Sequence, residues 1–186
     1  MKATQVLRDE HEGILAMLAV VEAAANRLNS GKEIPNDMMT NAVGFFRNFA
    51  DKCHHGKEED ELFPTLERLG VPKQDGPIGV MLAEHDQGRA FIRGMSDAAD
   101  KYARGDKTAA PALARNTLDY VNLLRQHSAK ENNVLFPMAD QVLADAEQDK
   151  LYDAFEHIEA TRIGPGEHER YHAMIAESQK IAASWV

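Results

Sequence analysis

The chain carries the same phrase twice. HHGKEEDELFP at 54–64 and HSAKENNVLFP at 127–137 align at an offset of 73, agreeing at His, Lys, Glu, Leu, Phe and Pro. A lone histidine in a matching setting precedes each copy: DEHEG around His11 and AEHDQG around His85, at an offset of 74. The linker Gly70–Gly76, with two glycines and a proline, separates the two halves. Whatever fold the chain adopts must accommodate two like halves, each bringing two histidines and one carboxylate.

Helical periodicity supplies the elements. Leu7, Ile14, Leu15, Leu18, Val21, Ala25 and Leu28 recur at the helical period and predict a helix over 3–28, with His11 on the same stripe. A second helix is expected from a cap at Asn36 or Asp37 to about Leu69, burying Val43, Phe46, Ala50, His54, Glu58 and Leu62. A third covers 78–103, up to the break at Gly105-Asp106, with Met81, Leu82, His85, Ile92 and Met95 inward. A fourth covers 110–142, with Tyr120, Leu124, His127, Glu131 and Leu135 inward. Pro64 and Pro137 are expected to bend the second and fourth, since proline removes a backbone donor and crowds the preceding turn. Four long helices with short connections predict an all-α, up-down-up-down antiparallel four-helix bundle over 1–145. Residues 146–186 read as a C-terminal extension: a helix over 146–161, a Gly-Pro-Gly turn at 164–166 and a last helix over 167–184, packed on the bundle. No basic stripe interrupts the formal charge of −9, which argues against nucleic acid, and no apolar run reaches membrane length. The N-terminus has no signal-peptide core, and Cys53 stands alone, so a reducing cytoplasm is the expected compartment.

Residues four apart on a helix point the same way, so His54/Glu58 and His127/Glu131 each present an imidazole and a carboxylate to one spot. Read alone, such a pair is a local contact worth about 0.2–0.5 kcal/mol. Duplication with two inward lone histidines makes it a ligand set. One metal would take His11 and His54 and the other His85 and His127, with Glu58 and Glu131 bridging, because a carboxylate has an oxygen for each ion. Oxide, hydroxide, water or a diatomic ligand would fill the remaining positions. His55-x-x-x-Glu59 has the same spacing, but its counterparts are Ser128 and Asn132. About 100° round an α-helix from the chosen pair, His55 and Glu59 read as an outer rank or solvated surface, with Lys57 and Lys130 outside.

His11, His54-x-x-x-Glu58, His85 and His127-x-x-x-Glu131, with their Leu-Phe-Pro tails, resemble the cation-binding domain of hemerythrin-like proteins over about residues 4–143. The resemblance implies a four-helix bundle around a non-haem pair of irons with a bridging oxo, hydroxo or water ligand. It implies activities of oxygen binding, oxygen or nitric-oxide sensing, iron handling and repair of iron–sulfur clusters. The oxygen carriers add a histidine one turn from the third-helix ligand, where this chain has Met81 and Arg89. Their second bridging carboxylate is an Asp five residues after its histidine, whereas Glu131 is four after His127. The chain thus resembles the four-histidine, two-glutamate branch, similar to the di-iron domains of cluster-repair proteins. That implies a protein that binds or senses O2 or NO, with a di-iron enzyme acting on peroxide or O2, or an iron donor, as the alternatives.

Several residues invite other readings. HERYH at 168–172 fits the H-E-x-x-H pattern of zinc metalloproteases, but with neither a third ligand at useful spacing nor a substrate-binding strand. His168 or His172, or else Tyr171 or Glu167, could instead close over an open metal position as a lid. Tyr120, two turns before His127, reads as core or as a donor near bound oxygen. Met81 reads as core filler or a neighbour of the ligands, Cys53 as an inert thiol and His157 as structural.

Overall fold

The computed structural model describes residues 2–164 and 166–185, so Pro165 of the expected turn lies outside it. Among the described residues the chain is helical without strands: α1 (Ala3–Asn29), α2 (38–68), α3 (Pro77–Ala103), α4 (110–142), α5 (145–163) and α6 (Glu167–Ala183). α1 packs on α4, α4 on α3, α3 on α2 and α2 on α1, which closes the ring of a four-helix bundle. α5 lies against α1 and α2, and α6 against α1. No helix is long and apolar enough to cross a membrane.

The bundle has two apolar ends. Leu18, Val21, Phe45, Phe46, Met95, Leu113 and Val121 belong to one cluster, while Leu7, Leu62, Phe63, Met81, Leu135, Phe136 and Phe155 belong to the other. Each helix passes between them in alternating order. α1 runs from Leu7 through His11 to Ile14, and α2 returns from Ala50 through His54 to Leu62. α3 runs from Met81 through His85 to Ile92, and α4 returns from Leu124 through His127 to Leu135. The inward histidines therefore share one layer, sealed above and below by hydrocarbon. Leu15, expected on the buried stripe of α1, is 36% exposed.

α2 and α4 are not uniform α-helices. Wide turns with i→i+5 bonding occupy Phe46–His55 and Glu58–Leu62 in α2, and Glu131–Leu135 in α4. Phe63 N–H donates to the Glu58 carbonyl, and Phe136 N–H to that of Glu131. Pro64 and Pro137 follow at once: each lacks an N–H for the carbonyl four residues back and crowds it, so the preceding turn widens. Glycine is required where the chain turns back on itself. A Cβ on Gly76 would lie 2.1 Å from the Pro72 carbonyl oxygen, and Gly105, at φ +95°, ends α3.

Candidate metal centre

The wide turns of α2 change which side chains face inward. An i→i+5 turn takes more residues per revolution, so the angle between successive residues falls below the ~100° of an α-helix. His54 and His55 then both point into the bundle, 1% and 4% exposed. His55 was expected in an outer rank or in solvent; instead its ring stacks on His85 at 3.8 Å and lies 5.6 Å from His127. Two donor sets result: His11, His54, Glu58 and Glu131, and His55, Glu58, His85 and His127. The six residues expected as ligands meet in one layer, and His55 joins them.

Both glutamates reach both sets. Glu131 places one oxygen 3.2 Å from His127 Nε2 and the other 3.2 Å from His11 Nε2. Glu58 places one oxygen 3.7 Å from His54 Nε2 and the other 3.5 Å from His85 Nε2. The four carboxylate oxygens, and Nε2 of His11, His54 and His55, are buried without a hydrogen-bond partner. Leaving so many polar atoms unpaired in a dry layer costs roughly 1–3 kcal/mol each, so this donor set fits cations that would satisfy them together.

Each histidine is held from behind at Nδ1: His11 by Asn132 at 3.0 Å, His54 by Glu10 at 2.9 Å, His55 by Asp51 at 3.4 Å, His85 by Glu59 at 2.6 Å and His127 by Glu84 at 3.0 Å. A carboxylate or amide oxygen there selects the tautomer protonated at Nδ1 and turns the Nε2 lone pair inward. Consequently Nε2 of His85 and of His127, 3.1 Å apart, would oppose two lone pairs. Without metal a proton settles the conflict. Burial disfavours the His127 cation, but Glu131 and Glu84 outweigh it and push its pKa up to about 9, so Nε2–H donates to His85. Burial and Glu131 hold Glu58 well above the usual carboxylate range, while His127 and His11 keep Glu131 ionised despite its burial.

Behind the histidines the duplication reappears. Glu10 precedes His11 and holds His54; Glu84 precedes His85 and holds His127. Lys57 pairs with Glu10, and Lys130 with Glu84. Lys57, expected outside, is fully buried, because Glu159 of α5 closes over it at 3.1 Å. Lys130 has no such cover, and its side chain is 40% exposed. Sequence reasoning missed Glu10 and Glu84, although the Glu-His and Lys-Glu dipeptides of both halves carry the signal.

The remaining candidates sit elsewhere. Met81 is buried in the apolar cluster beyond His85. Tyr120 packs edge-on against Phe46 at 4.9 Å, its hydroxyl buried and unpartnered. Tyr171 packs on Phe45 and Phe49, His168 lies 5.2 Å from Phe49 and 4.9 Å from His172, and Glu167 pairs with Arg170. Among the described residues His168, His172 and Glu167 belong to neither donor set, and no carboxylate completes a metal site with His168 and His172. Cys53 is buried, and its thiol is pushed up to about 12 chiefly by that burial.

Comparison with known proteins agrees with the geometry. Over 178 residues the chain is 25% identical to the uncharacterized proteins Rv1995 of Mycobacterium tuberculosis and Mb2018 of Mycobacterium bovis, covering 96% of this chain and 69% of each of those. It is 27% identical over 134 residues to the iron-sulfur cluster repair protein YtfE of Salmonella newport, covering 70% of this chain and 60% of that one. No solved structure matches the chain significantly. The model of the hemerythrin HHE cation binding domain matches residues 2–139, which takes in both copies of the duplicated phrase. With two His/Glu donor sets in the central layer of its bundle, the chain belongs to the hemerythrin HHE family.

Proposed function

We propose that this chain holds two irons side by side in its central layer and binds or senses O2 or NO there. One observation carries the reading: each of two buried glutamates directs one oxygen to each donor set. A lone ion would leave half of those oxygens unpaired, and a structural zinc closes four positions without needing shared carboxylates. His11 and His54 would hold one iron, and His55, His85 and His127 the other, with Glu58 and Glu131 common to both. An iron pair supplies reversible redox chemistry and open positions for a small ligand. The chain's own contribution is to orient five imidazoles, exclude bulk water with two hydrocarbon ends and place the anions behind the histidines. His11, with a neutral amide behind it, and His54 make the poorer set, and an ion held there would have more room for a small ligand.

The name of the YtfE relatives favours a second reading, in which the irons are passed to damaged iron–sulfur clusters. The deciding experiment is iron analysis followed by anaerobic reduction and separate titration with O2, NO and peroxide under visible absorption. Two irons per chain and a reversible adduct are expected. Turnover of peroxide would make it an enzyme, transfer of iron to an apo-cluster protein a donor, and one zinc without iron would overturn the centre. Glu131→Ala should lose most of the iron, and full retention would remove the shared-carboxylate assignment.

A further inference from the structure

On the face formed by α2 and α3, a cavity of about 280 Å³ is lined by Arg47, Asp51, Lys52, Arg89, Ile92 and Arg93. Four cations around one carboxylate is the reverse of the chain's balance, which is −9 overall. Local geometry gathers them. Arg89 and Arg93 are four apart on α3 and share a face. Arg47 and Lys52 are five apart within the wide turns Phe46–His55, where i→i+5 winding brings such residues into line. Buried Ile92 forms an apolar floor.

The carboxylates of this region are already engaged by one guanidinium. Arg89 binds Asp51 at 2.8 Å, Glu59 at 2.6 Å and Asp86 at 3.2 Å. Arg47 and Arg93 are left without a carboxylate within ion-pair distance among the described residues, and Lys52 reaches only the Asn48 amide oxygen at 3.1 Å. Two free guanidinium forks and an ammonium around a concavity of this size match the tetrahedral oxygens of a phosphate group.

Arg89 also ties the cavity to the histidine layer. The carboxylates it grips are those behind His55 and His85: Asp51 at 3.4 Å from His55 Nδ1 and Glu59 at 2.6 Å from His85 Nδ1. An anion in the cavity competes with Asp51 and Glu59 for the Arg89 N–H groups. Released from Arg89, those carboxylates accept more strongly from the two imidazoles and make them better donors.

We propose that the basic cavity is a binding site for a phosphate group, free or carried as a small monoester, and that its occupancy is felt at the metal centre through Arg89. The binding site stands by itself; the coupling rests on the di-iron reading. Calorimetric titration of metal-free protein with inorganic phosphate, and separately with a nucleoside monophosphate, tests the site. Saturable binding that salt weakens is expected, at least about tenfold weaker in R47A/R93A, since charge-assisted hydrogen bonds are worth more than a factor of ten. Both replaced side chains are exposed, and an unchanged melting curve shows that the variant folds. The tighter of the two ligands identifies the source of the phosphate. No saturable binding of either by the wild type, or undiminished binding by R47A/R93A, overturns the site. In iron-loaded protein, phosphate should shift the visible spectrum, and the shift should vanish in R47A/R93A. A shift that persists there comes from phosphate on the iron itself and overturns the coupling, as does no shift. A chain that takes up no iron pair fails the di-iron reading while the metal-free titration still decides the site.

Discussion

Lys57 offers the sharpest test of how the centre is built. Its ammonium is fully buried between Glu10 and Glu159, and Glu10 in turn holds His54. Lys57→Met keeps the length of the side chain and removes its charge. Glu10, 4% exposed, would keep only His54 as a partner. Breaking one side of a buried ion pair costs about 3–5 kcal/mol. The acid itself gives a similar figure. Burial alone would raise the Glu10 pKa, but the hydrogen bond from His54 and the charge of Lys57 bring it from 4.5 down to about 2. A displacement of that size is worth about 3 kcal/mol at 1.36 kcal/mol per tenfold. Because the folded-state pKa is depressed, this stabilisation is present above pH 4.5 and is lost as pH falls toward 2. In urea unfolding of metal-free protein at pH 7, Lys57→Met should lose about 3 kcal/mol, or roughly 6–12 °C of melting temperature. The double variant Glu10→Gln/Lys57→Met should recover much of that, since removing both charges leaves neither stranded. Iron should bind roughly 10–100-fold more weakly in the single variant, because His54 loses its orienting anion. A loss under about 1 kcal/mol, or strictly additive single and double variants, would refute the buried-pair argument.

Three further outcomes follow from the site. His55→Ala should lower iron affinity at least about tenfold and alter the visible spectrum; unchanged iron content and spectrum would return His55 to the outer rank. Iron uptake at pH 7 should release a proton from His127, which is held protonated in the metal-free layer, so affinity rises with pH up to about 9. Calorimetry in buffers of different ionisation enthalpy reads this directly, and a buffer-independent enthalpy would contradict it. His168→Ala and His172→Ala should leave iron content and O2 or NO titrations unchanged, since His168 packs against Phe49 and His172 against His168, outside the donor sets; loss of iron in either would restore the lid.

The helices were legible because their apolar stripes follow one period, and the central layer because the duplicated histidines fall on those stripes. Val43, Phe46, Ala50, His54, Glu58 and Leu62 are buried as the period requires. His55 escaped because a uniform 100° step puts it off the ligand face, and only the wide turns of α2 rotate it inward. A sign of that winding was present: Pro64 stands inside a helix too long to end there. Lys57 escaped for another reason. Its burial depends on Glu159, more than a hundred residues away, and no local pattern encodes a partner on another helix. The partners at Nδ1 were largely legible, since Glu10 and Glu84 recur with the repeat and Glu59 and Asn132 hold His85 and His11 from matching positions, whereas Asp51, opposite Leu124 in the repeat, has no duplicate role.

The unequal cover over Lys57 and Lys130 gives the two halves different dielectric surroundings. Both lysines hold a glutamate that holds a histidine, but one pair is sheathed by α5 and the other faces solvent. Counterions screen the exposed pair and cannot enter the sheathed one. Ionic strength should therefore act on His127 and leave His54 largely alone, so that dissolved salt would tune one donor set against the other.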